Sequence, residues 1–364
     1  MTEVARDVLL EVLIHGPMPR AEIAPRLRLS RPTLTRAART LVDEGLLVEG
    51  GTELRSPTGR PSEMLHVRGE AHRFLGVKLT ADHLYAAVTD LTAVVTDVME
   101  LPLRSTHPKQ VTTQVAEVAA GLPGMTAIGV TLGGVVRDGV VVDAGFPAWK
   151  NVPLAAPVTR ATGLPVTVDN DVQALTSAEH WFGGGAGVDS MVVITIGAGV
   201  GTGLIIDGKL VRGAHGLPRR FAHLLVDPRG PQCGYGHRGC ASSYLMSHVI
   251  LRQLRNCATY DDAVERARAG DPDANRIFAE AGYALGVLIG HTANFLDPDK
   301  ILLTGDGLPL YEIASEQVHD GIENTYEDDP TLIDLDVQPF DFDEWARAAA
   351  ALAIKDTITG TIRL

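Results

Sequence analysis

Cysteine is scarce in this chain. Three residues in 364, an odd number, provide no disulfide framework and suit a reducing cytoplasm. A secretory leader is not expected either, because the opening stretch breaks its apolar residues with Asp7 and Glu11. Nothing reads as a membrane span. Two uncharged runs, 190–206 and 281–296, approach the necessary length. The first holds four glycines and reads as strand, turn, strand, and the second is too short and carries His291 and Asn294, as a buried helix can. Short-period repeats and low-complexity tracts are missing as well. What remains is a chain that is 45% hydrophobic, with 38 glycines, long enough for two or three domains.

Positive charge is also short overall, since the formal net charge is −13, yet residues 20–39 hold six arginines against one glutamate, a local +5. Phosphate neutralisation needs such a patch, while acidic charge elsewhere keeps nucleic acid away from the rest of the chain. The same stretch reads as helix, tight turn, helix. Ser30 is placed to cap a helix over 31–44, and Pro32 falls in its first turn, where no intrahelical donor is lost. Leu34, Ala38 and Leu41 repeat at helical spacing and should face a core with Ile23 and a preceding helix near 4–14. Arg31, Thr33, Thr35, Arg36 and Arg39 are left for the outer faces. Hydroxyls near a helix start followed by guanidiniums suit a recognition helix whose first turn meets base edges in duplex DNA. Beyond Gly45, two extended pieces around a glycine- and proline-rich tip make a wing, with Arg60 placed to touch backbone or minor groove. An amphipathic helical hairpin that only packs on its neighbour is the bland alternative, and the local charge argues against it. The wing ends near Gly69–His72, which divides residues 1–70, a winged helix-turn-helix domain, from residues 71–364.

From Phe74 the pattern alternates. Strands are expected at 74–79, 84–89, 93–99 and 126–131 with a helix at 111–120. A glycine-richer set follows, with strands at 192–196, 203–206 and 209–211, helices near 243–256 and 272–295, and a strand at 300–304. Two successive α/β lobes imply a ligand cleft. Cys257 is expected on a helix, in the core.

Five motifs occur in order: 146–154 FPAWKNVPL, 163–171 GLPVTVDND, 196–204 IGAGVGTGL, 212–216 RGAHG and 223–240 HLLVDPRGPQCGYGHRGC. In them the chain resembles the ROK family of repressors and sugar kinases over nearly its whole length. The resemblance implies an α/β architecture: an N-terminal winged helix-turn-helix followed by a two-lobed actin/hexokinase-like (ribonuclease H-like) ATPase fold. It also implies sugar contacts at Gly133 and Asn170, a general base at Asp171, and zinc ligands at His223, Cys233 and Cys240.

Departures from the family pattern carry as much information. Where family kinases place a magnesium-holding Asp and then Gly-Gly-Thr, this chain has Lys78, Thr80 and Ala81. A lysine cannot ligate Mg²⁺, and added Cβ atoms obstruct backbone approach to phosphate. Phosphoryl transfer is therefore expected to be lost, with ATP not retained as a cofactor and Asp171 kept as a relic base that binds a ligand hydroxyl. The second phosphate loop, Gly197, Gly199, Gly201 and Gly203, survives, although four glycines also suit a tightly turning sheet. Two sugar-site glutamates of the family are replaced by Arg220 and Ser242, so the ligand preference should shift, with Arg219 and Arg220 as candidates for bonding an anionic group. Tyr235 stands in place of one zinc thiolate. Either His237 or a water completes a structural zinc site, or the loop keeps its shape through glycines alone.

The expected function is a cytoplasmic, DNA-binding transcriptional repressor of carbohydrate-related genes. It would act on double-stranded operator DNA as a homodimer or tetramer and be controlled by a small carbohydrate-derived effector bound at Gly133, Asn170, Asp171, Arg220 and His223. Two other readings stand beside it: an active ATP-dependent sugar kinase with an added DNA-binding domain, and a constitutive DNA-binding protein whose large domain only dimerises.

Overall fold

The structure is a computed structural model that describes residues 1–53, 62–214 and 220–360. The chain falls into two compact units, Met1–Gly187 together with Asp343–Leu364, and Val188–Phe342.

The first unit begins with α1 (Glu3–His15), β1 (Met18–Pro19), α2 (Arg20–Arg26) and α3 (Arg31–Asp43), followed by the wing strands β2 (Leu47–Glu53) and β3 (Ser62–Val67). The Thr33 amide donates to Ser30 Oγ at 3.3 Å, so the predicted cap starts α3 sharply. Ile23, Leu34, Ala38 and Leu41 are all buried, and α1 packs on α3. The wing closes as a sheet of order β1-β3-β2.

Next come β4 (Arg73–Leu79), β5 (His83–Thr89), β6 (Val95–Pro102), α4 (Pro108–Ala120) and β7 (Met125–Leu132). A small antiparallel sheet, β8 (Val135–Arg137), β9 (Val140–Ala144) and β10 (Trp149–Pro153), leads to α5 (Ala155–Thr162), β11 (Val166–Asn170) and α6 (Asp171–Phe182). The main sheet has the order β11-β7-β4-β5-β6, with β4, β7 and β11 parallel.

The second unit contains β12 (Met191–Ile196), β13 (Val200–Ile206) and β14 (Lys209–Leu210). The helices α7 (Ser242–Leu245), α8 (Ser247–Gln253), α9 (Tyr260–Arg268) and α10 (Pro272–Leu296) follow. The unit ends with β15 (Lys300–Thr304), α11 (Pro309–Ile313), α12 (Ser315–Glu323) and β16 (Leu335–Val337). Its sheet runs β14-β13-β12-β15-β16. In both sheets the strands stand in the order third, second, first, fourth, fifth, the repeated topology expected of a ribonuclease H-like fold.

Helix α13 (Asp343–Thr359) then returns to the first unit, a return that the strand-and-helix pattern of the sequence did not indicate. Its alanines 346, 348–351 and 353 are buried, and it packs on β4 and β7 across glycines. A Cβ built on Gly76 would lie 1.9 Å from the Ala346 carbonyl oxygen, and one on Gly129 would lie 1.7 Å from that of Ala349, so only glycine lets helix and sheet approach this closely.

Two local expectations are corrected. The helix expected over 243–256 is broken at Met246, which is extended (φ −70°, ψ 133°), because the Ser247 amide donates to the Gly197 carbonyl instead of continuing the helix. Cys257 consequently lies in the loop after α8, half-buried, with its Sγ bonded to the Thr259 carbonyl. As expected, 190–206 is a hairpin and 281–296 a helix with a buried face, and no described helix is long and apolar enough to cross a membrane.

Candidate DNA-binding surface and effector site

All five residues assigned to the outer faces of α3, Arg31, Thr33, Thr35, Arg36 and Arg39, are exposed. Thr35 Oγ1 donates to the Arg31 carbonyl at 2.9 Å, and Thr33 shares its hydroxyl with Ser30 at 2.8 Å, so both side chains are oriented along the first turn. Arg60 lies outside the described residues. The local charge of 20–39 is smaller than its arginine count suggests. Arg20 pairs with Glu49 and, at 3.6 Å, with Glu63, while Arg26 pairs with Glu11 and, at 3.8 Å, with Glu22. Among the described residues no ion pair holds Arg28, Arg31, Arg36 or Arg39, and all four are exposed. The turn residue Arg28, at φ 51°, thus joins the basic face, which simple counting could not separate from Arg20 and Arg26.

The first unit also holds a buried polar site at the carboxyl ends of β4, β7 and β11. Asn170 ends β11 and caps α6: its Oδ1 accepts from the Gln173 amide at 3.1 Å, and its Nδ2 donates to the Gly134 carbonyl at 2.9 Å. Asp171 occupies the first turn of α6, and its Oδ1 accepts the Val172 amide at 2.9 Å. Its Oδ2 takes a hydrogen bond and ion pair from the Lys78 ammonium. Lys78 is only 6% exposed, and its Nζ also lies 4.8 Å from the centre of the Trp345 ring on α13. A Cβ on Gly133 would stand 3.7 Å from Asp171 Oδ2, so this glycine borders the pair. Asp169, passed over in the sequence, is buried and accepts the Asn170 amide at 2.8 Å, which tightens the strand end that presents Asn170 and Asp171. Tyr85, the register partner of Lys78 on β5, has its phenol pushed up to about 12, by burial first and then by Glu100, and stays neutral at physiological pH.

Thr80 and Ala81 form the turn between β4 and β5. Thr80 Oγ1 donates to the His83 carbonyl and accepts the His83 amide, both at 3.1 Å, so its hydroxyl is committed to the turn.

In the second unit, His223, Cys233, His237 and Cys240 bring their donor atoms within 4.8 Å of one another. His223 Nδ1 is 3.6 Å from Cys240 Sγ and 3.9 Å from Cys233 Sγ. A tetrahedral ion with zinc–sulfur bonds of about 2.3 Å and zinc–nitrogen bonds of about 2.0 Å separates its donors by roughly 3.3–3.8 Å, so the cluster is compatible with structural zinc. Burial opposes ionisation of Cys233, but hydrogen bonds from the Tyr235 amide, the Cys240 thiol, the His237 amide and Ser242 outweigh it and hold the thiol below its usual value. Tyr235, at the position of the missing thiolate, is exposed and lies with its ring edge-on to His223. Ser242 lies 3.4 Å from His223 Nδ1 and 3.2 Å from Cys240 Sγ, within the same cluster. Arg220 is exposed and precedes the short turn that carries His223, whereas Arg219 lies outside the described residues.

A ROK family model matches residues 74–353. The chain belongs to the ROK family. A MarR family model matches residues 1–48, the span of α1 to α3. The sequence is similar to the xylose repressor of Bacillus subtilis (strain 168), 24% identical over 343 residues that cover 88% of each chain. It is also similar to the DNA-binding transcriptional repressor Mlc of Escherichia coli (strain K12), 28% identical over 82% of this chain and 79% of that one. Among solved structures, a ROK family transcriptional regulator described as a homolog of E. coli Mlc matches with a TM-score of 0.82 at 26% identity, covering 98% of both chains.

Proposed function

We propose that this ROK protein is a transcriptional repressor of carbohydrate-related genes that binds a small carbohydrate-derived effector in a kinase-like domain and does not phosphorylate it. The repressor relatives and the exposed arginines of α3 support the first half. The observation that carries the second is the ion pair between buried Lys78 and the partly buried Asp171. A kinase needs a free carboxylate to take the proton of the attacking hydroxyl and a metal to neutralise the moving charge. Here a fixed ammonium satisfies that carboxylate. Asp171 and Lys78 together can still accept from and donate to ligand hydroxyls beside Gly133 and Asn170.

The same unit offers a route to the DNA. Helix α6 starts at Asp171, and α13 carries Trp345 beneath Lys78. Both helices touch α1 of the winged module, and Arg6 on α1 donates to the Thr359 carbonyl at the far end of α13 at 3.2 Å. The 17 residues of α13 span about 25 Å. An effector that repositions Lys78 and Asp171 therefore acts on two helices that seat the DNA-binding module, and a coupling of about 1–3 kcal/mol suffices for control.

The winged module occupies residues 1–70 and reads operator DNA through Arg31, Thr33, Thr35, Arg36, Arg39 and Arg60. The protein works in the cytoplasm as a homodimer or tetramer, whose two-fold symmetry matches paired half-sites. Zinc, when bound, is held by His223, Cys233, His237 and Cys240 and cross-links the loop between β14 and α7, with no part in chemistry.

The test is a titration of operator binding with and without sugars, sugar acids and sugar phosphates, alongside a coupled assay for hexose phosphorylation. At least one compound is expected to shift operator affinity while no turnover is seen. Turnover that Asp171→Asn abolishes would instead establish a kinase. Operator binding that ignores every compound would leave a constitutive DNA-binding protein.

A further inference from the structure

The second unit keeps a glycine loop whose geometry invites an anion. Ile196 pairs with Val200 across the β12–β13 hairpin, and the turn is open at its far end: a Cβ on Gly199 would meet nothing within 4 Å. Backbone amides of a glycine-rich turn such as this Gly-Ala-Gly can attract phosphate or carboxylate oxygens. One side of this turn is taken. A Cβ on Gly197 would lie 1.8 Å from Asp306 Oδ1 and 2.9 Å from Oδ2, so the Asp306 carboxylate rests on the Cα of Gly197.

Asp306 is delivered there by a fixed turn. The Gly307 amide donates to the Ile196 carbonyl at 2.8 Å, and the Tyr260 hydroxyl donates to the Gly307 carbonyl at 3.0 Å. Gly305, at φ 117°, packs against Ile196, where a Cβ would stand 2.4 Å from its carbonyl oxygen. Tyr260 registers the charge: burial first, and then Asp306, raises its phenol well above the usual value.

We propose that Asp306 is a built-in anionic occupant of this glycine loop that excludes the polyphosphate of a nucleotide, so the large domain senses its effector without regard to ATP. A phosphate approaching the Gly197 backbone meets a carboxylate at contact distance, and like charges that close repel. This rests on the reading of the domain as a sensor, but it concerns the other unit and a different ligand. In the first unit a lysine takes the place of a metal, and in the second an aspartate takes the place of a phosphate.

Calorimetric titration of the full-length protein with ATP, with and without Mg²⁺, tests it using wild type, Asp306→Asn and Asp306→Ala. Asn keeps the shape and removes the charge, while Ala removes both. Wild type is expected to give no saturable binding into the millimolar range, and both variants to bind at least about tenfold more tightly with operator binding retained. Wild-type affinity equal to that of the variants overturns the proposal, as does a failure of both variants to gain binding. ATP binding by wild type without hexose phosphorylation would overturn only this proposal, whereas phosphorylation would also end the sensor reading.

Discussion

The two sheets of this protein share one strand order but have been finished in different ways. The first is tightly packed: an alanine-rich helix lies on glycines of β4 and β7, and at the strand ends Lys78 is paired with Asp171 beside the exposed Gly133. The second keeps more open features, a turn exposed at Gly199 and a cluster of four metal-donor side chains in a loop. Identical topology therefore does not carry identical chemistry, because the side chains at the strand ends decide what each lobe holds.

The largest effect should come from the cluster. If zinc binds there, its binding free energy is linked to folding of the second unit, and chelation should cost about 5 kcal/mol or more of that unit's stability. Metal analysis should find one zinc per chain in wild type and almost none in Cys240→Ser, with the variant unfolding at lower denaturant in the absence of added zinc. Equal midpoints with and without chelator would make the loop a shape held by glycines.

In the first unit, Lys78→Ala leaves a partly buried carboxylate without its cation and should cost about 2–4 kcal/mol. The double change Lys78→Met with Asp171→Leu should recover most of it, because the cost belongs to the orphaned charge and not to the pair as such. Denaturant midpoints measure both. A single variant as stable as wild type would show that water replaces the ammonium at Asp171 without cost.

Gly129→Ala separates the two lobes at one methyl group. Its Cβ would sit 1.7 Å from a backbone carbonyl, an obstacle that cannot rotate away, so a loss of about 3 kcal/mol is expected. Gly199→Ala in the second unit meets nothing within 4 Å and should cost less than about 1 kcal/mol.

Much of this was legible in the sequence where periodicity and local chemistry agreed. Ser30, Leu34, Ala38 and Leu41 placed α3 to within one residue, and the motif order indicated both lobes. Pairings between distant residues were not legible. That Lys78 replaces an acid could be read, but its bond to Asp171 joins positions 93 residues apart and needs the register of β4, β7 and β11. The return of α13 to the first unit was hidden for a similar reason: its run of alanines is buried nearly all round, which leaves no polar stripe to mark a helix face. His237 could be suggested as a fourth donor beside water, and that its donor atom falls within 4.8 Å of those of His223, Cys233 and Cys240 was not legible without the fold of the loop.

The smallest effects test the basic face, where counting and structure differ most. Six arginines lie within 20–39, yet only Arg28, Arg31, Arg36 and Arg39 stand exposed without an ion pair among the described residues. An arginine already held by Glu11 and Glu22 has little field left to offer a phosphate, so Arg26→Ala should change operator affinity by less than about 0.5 kcal/mol. Arg36→Ala should weaken it by about 1–3 kcal/mol if the guanidinium reads a base. If it contacts a phosphate, the loss should be uniform across sequences and the salt dependence of binding should fall by about one unit. Fluorescence anisotropy over a range of salt, with specific and scrambled duplexes, distinguishes these outcomes. Equal losses for Arg26 and Arg36 would mean that the ion pairs of α2 dissolve on the DNA and that all six arginines face the duplex after all.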